Sequence, residues 1–348
     1  MGNGIYSAID ANINRTLEGL KICEDVYRFI YHETRLAGRI KEIRHDFIKE
    51  VRVFPDTPLL NARDVESDQL KFIDLESERR RDSLEELVKR NLHRSIEALR
   101  AIEEFTKLLD IQLIHNPFQR IRFSLYNLEK ELISNILKVR KIEKLKNSLY
   151  AILDSSLIHD EGYSQTASRL IDGGARVIQL RMKSVPVKSV LSVAKEISAI
   201  CRERRVLFII NDYPDIARIS NADGVHLGQD DLPLKDARLI LPPDMLIGIS
   251  THTFPQAMIA YEEGADYIAL GPIYDTRSKY DQLLKGIEME VVRDLVEKIN
   301  IPIVCIGGLE PEGVSWLKGL GYSSFALISY LYRDNAIEEN CRRIIASM

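Results

Sequence analysis

Residues 176–210, RVIQLRMKSVPVKSVLSVAKEISAICRERRVLFII, decide the fold. An apolar run, Arg176 to Leu180, gives way to a helical period over Val187 to Cys201 and then to a second apolar run, Val206 to Ile210. Strand, helix and strand in that order form a β-α-β unit, in which the connecting helix returns the chain so that the strands lie parallel. Working outward, similar runs stand at Leu149 to Leu153, Gly224 to Leu227, Leu246 to Ile249, Tyr267 to Leu270, Ile303 to Ile306 and Ser324 to Ile328, and Glu288 to Lys298 repeats the helical period. Eight such units predict an α/β fold, a compact TIM (β/α)8 barrel over residues 148–348. An open doubly wound sheet is the alternative. It would want Gly-x-Gly-x-x-Gly after its first strand, and that motif is absent.

Glycine and proline set off a second domain. Residues 1–140 hold 4 of the 18 Gly and 3 of the 12 Pro, and since both residues are costly inside helices, this part is expected to be mostly α-helical. The join is expected in a helix around Asn127 to Lys146. Lys and Arg number 24 against 24 Asp and Glu in residues 1–140, and 24 against 28 in the rest. Neither half has the basic excess of a nucleic-acid surface. No apolar run is long enough for a membrane span. The start, MGNGIYSAID, lacks a secretory pattern and has Tyr6 where a myristoylation signal has Ser or Thr, so a cytoplasmic location is expected. Cys23, Cys201, Cys305 and Cys341 show no ligand or disulfide spacing and are expected to be reduced and buried. Self-association is left open.

A barrel of this kind builds its active site where strands end and loops begin. After the second run, alternation turns Gln179, Arg181 and Lys183 to one side. The third ends in Asn211-Asp212 and the fourth leads into His226-Leu227-Gly228-Gln229-Asp230-Asp231. Neighbouring carboxylates repel unless a cation lies between them, so Asp212 and Asp231 are read as ligands of Mg²⁺, with Asp230 as the alternative to Asp231. The competing reading makes Asp212 a turn residue before Pro214 and Asp231 a helix cap before Pro233. His226 is read as packing in the barrel wall, and neither it nor His252 is assigned as a base. Ser250 follows Gly248-Ile249, and the sixth exit, Gly271 to Lys279, carries hydroxyls and a lysine suited to phosphate. The last two exits, Cys305-Ile306-Gly307-Gly308-Leu309 and Ala326-Leu327-Ile328-Ser329, fall where such barrels hold phosphate on bare backbone N–H groups. Two anionic sites in one mouth are therefore expected.

The ordered set Gln-Leu-Arg-x-Lys, Asn-Asp, Gly-Val-His-Leu-Gly-Gln-x-Asp, Ile-Gly-x-Ser, Gly-Pro-Ile-Tyr-x-Thr-x-Ser-Lys, Ile-Gly-Gly and Ile-Ser resembles the thiamine-phosphate synthase family across residues 148–348. The resemblance implies coupling of 4-amino-2-methyl-5-(hydroxymethyl)pyrimidine diphosphate to 4-methyl-5-(2-hydroxyethyl)thiazole phosphate, with release of pyrophosphate. It also implies that Gln179 contacts the pyrimidine, while Arg181, Lys183, Asn211, Ser250 and Lys279 hold its diphosphate. Arg181, Lys183, Ser250 and Lys279 would thereby carry catalysis. Asp212 and Asp231 would hold Mg²⁺, and Thr276, Ser278, Gly308, Ile328 and Ser329 would surround the thiazole phosphate. Two departures from the family pattern, Asp275 for a frequent proline and Ser278 for a frequent threonine, leave the hydroxyl in place. A thiazole tautomerase-like barrel is the alternative; Asn211, Asp212, Gln229 and Asp231 speak against it.

The first domain carries its own repeat. Asn12-x-x-Arg15-x-x-Glu18-x-Leu20-Lys21-x-x-Glu24-Asp25 returns as Asn91-x-x-Arg94-x-x-Glu97-x-Leu99-Arg100-x-x-Glu103-Glu104, implying two related helices. Their polar stripe is read either as a solvated, salt-bridged face or as a pseudo-symmetric pocket. Arg44-His45-Asp46 and Ala62-Arg63-Asp64 add further polar groups between the repeats. This domain is similar to the helical domain attached to some thiamine-phosphate synthases and proposed to be a hydroxymethylpyrimidine-phosphate kinase. No P-loop supports a kinase here, and a non-catalytic interaction module is the alternative.

Overall fold

A computed structural model describes residues 2–63, 81–109, 111, 115–158, 161–279 and 282–348. Two compact units divide at Ile136/Leu137. The first is helical: α1 (Gly2–Asp25), a π-helical turn at Val26–Ile30, α2 (Thr34–Val51), α3 (Asp56–Asn61), α4 (Leu84–Thr106) and the start of α5 (Pro117–Leu145). The two copies of the repeat lie in α1 and α4, which pack against each other. Their crossing is close because Gly19 has no side chain. A Cβ there would lie 2.4 Å from Ser95 Oγ and 2.6 Å from the Asn91 carbonyl oxygen. Ser95 Oγ donates to Asn91 O at 2.9 Å and is 3.3 Å from Thr16 O, its counterpart in the first copy.

The repeat also pairs buried carboxylates with guanidinium groups: Glu24 with Arg44 at 3.1 Å, and Glu103 with Arg122 at 2.6 Å. The polar stripe is split by burial. Asn12 is buried and donates to Ala8 O, as Asn91 does to Leu87 O, whereas Arg15, Glu18, Arg94 and Glu97 are exposed. Gly19→Ala is expected to destabilise this unit by about 1–3 kcal/mol through overpacking, read as a lower denaturant midpoint. An unchanged midpoint would show that the crossing has slack.

In the second unit eight parallel strands close a barrel in the order β1 (Leu149–Asp154), β2 (Val177–Arg181), β3 (Leu207–Asn211), β4 (Gly224–Leu227), β5 (Leu246–Thr251), β6 (Tyr267–Leu270), β9 (Ile303–Ile306) and β10 (Ser324–Leu327). All eight runs read in the sequence are strands, some shifted by one or two residues. The helices α6 (Gly162–Asp172), α7 (Val187–Glu203), α8 (Pro214–Ile219), α9 (Leu234–Ile240), α10 (Phe254–Glu262), α11 (Met289–Lys298), α12 (Pro311–Gly319) and α13 (Ile337–Ser347) complete it. The joining helix α5 begins ten residues earlier than expected, and β7 (Thr276–Lys279) and β8 (Gln282–Leu284) form an antiparallel hairpin after β6.

Strand pleating gives two cores. Outward residues such as Ile178, Phe208 and Ile268 pack beneath the helices. Inward residues such as Val177, Leu207, Leu246 and Val304 fill the barrel, joined by Leu145 from the end of α5. Leu145 O accepts hydrogen bonds from Ser148 Oγ and Ser324 Oγ, which anchors that helix end beside β1 and β10. All four cysteines are free and buried, and burial pushes the Cys23 and Cys201 thiols up to about 12, where they do not act as nucleophiles at neutral pH. Among the described residues no helix is long and apolar enough to cross a membrane.

Candidate active site

The parallel register places every strand's C-terminal end at one mouth, where a cavity of about 150 Å³ opens. Gln179 and Arg181 on β2, Lys183 just after it, Asn211 and Asp212 at the end of β3, Asp231 beyond β4, and Ser250 on β5 all line it. A second cavity of about 30 Å³ is lined by Gly307, Gly308, Ile328 and Ser329, and the two share Gly307 and Ile328. Gly308 has φ +66°, a conformation that favours glycine, and a Cβ there would lie 3.0 Å from Tyr274 Cβ. Bare backbone can therefore face that cavity. Thr276, Ser278 and Lys279 fall in β7, whose side chains lie outside the described residues.

The charges are arranged in pairs. Arg181 is ion-paired with Asp154, its register partner on β1, and Asp154 also accepts from Ser156 N at 2.9 Å and Ser156 Oγ at 2.7 Å. Lys183 is ion-paired with Asp212. Burial pushes the Asp212 carboxyl above the usual carboxylate range; the Lys183 ammonium opposes this shift, and the facing Asp231 carboxylate adds to it. Asp231 is tethered by the Gly228 N–H, 2.6 Å from its Oδ2. Among the described residues no cluster of three or more His, Cys, Asp or Glu could hold a metal. The facing pair Asp212 and Asp231 nevertheless suits Mg²⁺, which takes one or two carboxylates and completes its shell with water and substrate oxygens. Asp212 occupies this position with φ +69°, which Asp and Asn tolerate better than other non-glycine residues.

Residues 149–331 match the family model described as thiamine monophosphate synthase, and residues 7–131 match that of the ThiD2 family. Over 99% of its length the chain is 34% identical to the thiamine-phosphate synthase of Prochlorococcus marinus (strain AS9601), covering 95% of that protein. The chain belongs to the thiamine-phosphate synthase family. The thiamine-phosphate synthase of Rhodopirellula baltica is likewise 34% identical, over 96% of this chain and 90% of that protein. In solved structures, the thiamine phosphate pyrophosphorylase from Pyrococcus furiosus superposes with TM-score 0.53 and 29% identity, over 60% of this chain and 96% of that one.

Three residues of this thiamine-phosphate synthase barrel escaped the reading of motifs. Asp154 holds Arg181, and Tyr150 and Tyr267 line the cavity floor. Asp154 carries a signal in the sequence: it directly follows the first apolar run, at a strand exit. The tyrosines had none, because within apolar runs they read as core. His226 is buried and packs inside the wall, as expected, but it also faces the cavity and hydrogen-bonds Ser250 Oγ through Nε2 at 2.9 Å.

Proposed function

We propose that this chain makes thiamine phosphate by joining 4-amino-2-methyl-5-(hydroxymethyl)pyrimidine diphosphate to 4-methyl-5-(2-hydroxyethyl)thiazole phosphate. The observation that carries the reading is the meeting, in one mouth, of two cations and a carboxylate pair with an adjoining glycine-lined pocket. Gln179 recognises the pyrimidine; Arg181, Lys183, Asn211, Ser250 and Lys279 bind its diphosphate. Gly308, Ile328 and Ser329, with Thr276 and Ser278, bind the thiazole phosphate.

The aminopyrimidine donates electrons into its exocyclic methylene, so the C–O bond to diphosphate breaks to leave a stabilised cation, which the thiazole nitrogen captures. No protein nucleophile is needed. Catalysis consists of stabilising the departing charge and aligning the second substrate. Arg181 is held ready by Asp154. Lys183, with a side chain about one-third exposed, can pass from Asp212 to the diphosphate. Asp212 and Asp231 would hold Mg²⁺, which neutralises leaving-group charge when bound.

With both substrates, the purified chain is expected to release thiamine phosphate and pyrophosphate in equal amounts only when Mg²⁺ is supplied. No product at saturating substrate would overturn the reading, and full activity after chelation would remove the metal from it. For the helical unit, the likeness to the ThiD2 family supports phosphorylation of the pyrimidine monophosphate. ATP consumption dependent on that substrate is the expected result, and its absence would leave an interaction module.

A further inference from the structure

Along the cavity wall runs an unbroken chain of polar groups from five different strands, four of them buried and the fifth, Ser250, half-buried. Gln179 Nε2 donates to Tyr150 Oη at 2.8 Å, Tyr150 Oη lies 3.0 Å from Tyr267 Oη, and Tyr267 Oη lies 3.1 Å from His226 Nδ1. His226 Nε2 lies 2.9 Å from Ser250 Oγ. The imidazole also stacks on the Tyr267 ring, with centroids 5.6 Å apart and planes inclined by 25°. Room for this has been left in the backbone. A Cβ on Gly248, two residues before Ser250, would fall 2.0 Å from the Tyr267 ring.

The donors in this chain can be ordered. Gln179 donates an N–H to Tyr150 Oη, and a buried hydroxyl hydrogen needs an acceptor of its own; among the described residues Tyr267 Oη is the one within reach of the Tyr150 hydroxyl. With its oxygen taken as that acceptor, Tyr267 has His226 Nδ1 as the acceptor for its own hydrogen. Burial pushes both phenols up, so both keep the protons this order requires. With Nδ1 accepting, a neutral imidazole carries its proton on Nε2 and donates to Ser250 Oγ. The Ser250 hydroxyl, already an acceptor, has its own hydrogen left for a ligand in the cavity. At the other end the Gln179 carboxamide oxygen is left as an acceptor.

We infer that Tyr150, Tyr267 and His226 form a directional hydrogen-bond relay that presents Ser250 as a donor to the departing diphosphate and Gln179 as an acceptor for the pyrimidine's amino group. The three are positioning residues: they act through Ser250 and Gln179, the two groups that touch substrate in the reaction proposed above, on which this inference rests. One polarised chain thus ties recognition of the base to stabilisation of its leaving group, with no proton changing owner.

The test is ¹⁵N NMR of the histidine-labelled full chain without substrates, with His226 identified by its loss in His226→Asn or its shift in Ser250→Ala. The expected signature is a neutral ring protonated on Nε2; a proton on Nδ1 overturns the order. Kinetically, Tyr267→Phe should lower kcat about 3- to 10-fold, the range for one lost hydrogen bond, with KM for the thiazole phosphate unchanged. In a Ser250→Ala background the same change should do almost nothing further. Multiplicative losses would show that Tyr267 does not act through Ser250 and would sink the relay. If the parent chain forms no thiamine phosphate, the reaction assignment fails instead, and the tautomer measurement still decides the order of donors.

Discussion

Arg181→Met is expected to cut thiamine phosphate formation by about 10²–10³-fold, the usual cost of losing one preorganised electrostatic contact to a developing anion. It should also destabilise the barrel, because Asp154 is buried and, among the described residues, would keep only its two contacts with Ser156. Stranding one member of a buried ion pair costs about 3 kcal/mol or somewhat more. The two effects can be separated. Adding Asp154→Asn removes the stranded charge, so the double variant should recover much of the denaturant midpoint and none of the rate. Should the double variant regain activity along with stability, Arg181 would be a structural residue and the leaving-group role would be lost.

Asp212→Asn is expected to act in the opposite sense on stability. The substitution removes a largely desolvated carboxylate facing Asp231, and Asn keeps the left-handed backbone comfortable. Lys183 loses its partner but is exposed enough to be rehydrated. The ligand-free protein should therefore melt at or above the parent temperature. The rate of thiamine phosphate formation should nevertheless fall about 10²–10³-fold, since a leaving diphosphate loses its counter-charge. Asp231→Asn should show a similar rate loss, and excess Mg²⁺ should recover part of the rate in each single variant but not in the double. A lowered melting temperature for Asp212→Asn with near-normal turnover would mean that this carboxylate serves folding. Such opposed effects on stability and rate are the mark of a group kept for function at a cost to the fold.

The barrel was legible because its signal is local and repeated. The runs from Leu149 to Ile328 are short and mostly apolar on both faces, as strands are when buried between a barrel interior and a layer of helices, with Gln179 and His226 as polar inward exceptions. The hairpin of β7 and β8 was not seen, because Thr276-Arg277-Ser278-Lys279 is polar and its pairing lies outside the barrel's repeat. The gathering of Gln179, Arg181, Lys183, Asn211, Asp212, Asp231 and Ser250 around one cavity could be anticipated from their places at strand ends, since a closed parallel sheet brings all such ends to one rim. What each side chain touches could not. The charge of Lys183 is legible in the sequence; its pairing with Asp212 is not.

The helical unit shows the same division. The repeat in Asn12 to Asp25 and Asn91 to Glu104 announced two related helices, and α1 and α4 contain them. That Glu24 and Glu103 turn inward to Arg44 and Arg122 depends on which face of each helix meets its neighbour. By itself, then, the sequence determined the elements, the parallel closure and the chemical character of the rim, because periodicity and residue type are properties of neighbours along the chain. Only the tertiary structure decided the partners of Arg181 and Lys183 and the line from Gln179 through the two tyrosines to Ser250. Those contacts join residues 24 to 117 positions apart, and hydrogen bonding is settled by angstroms of separation that no linear pattern encodes.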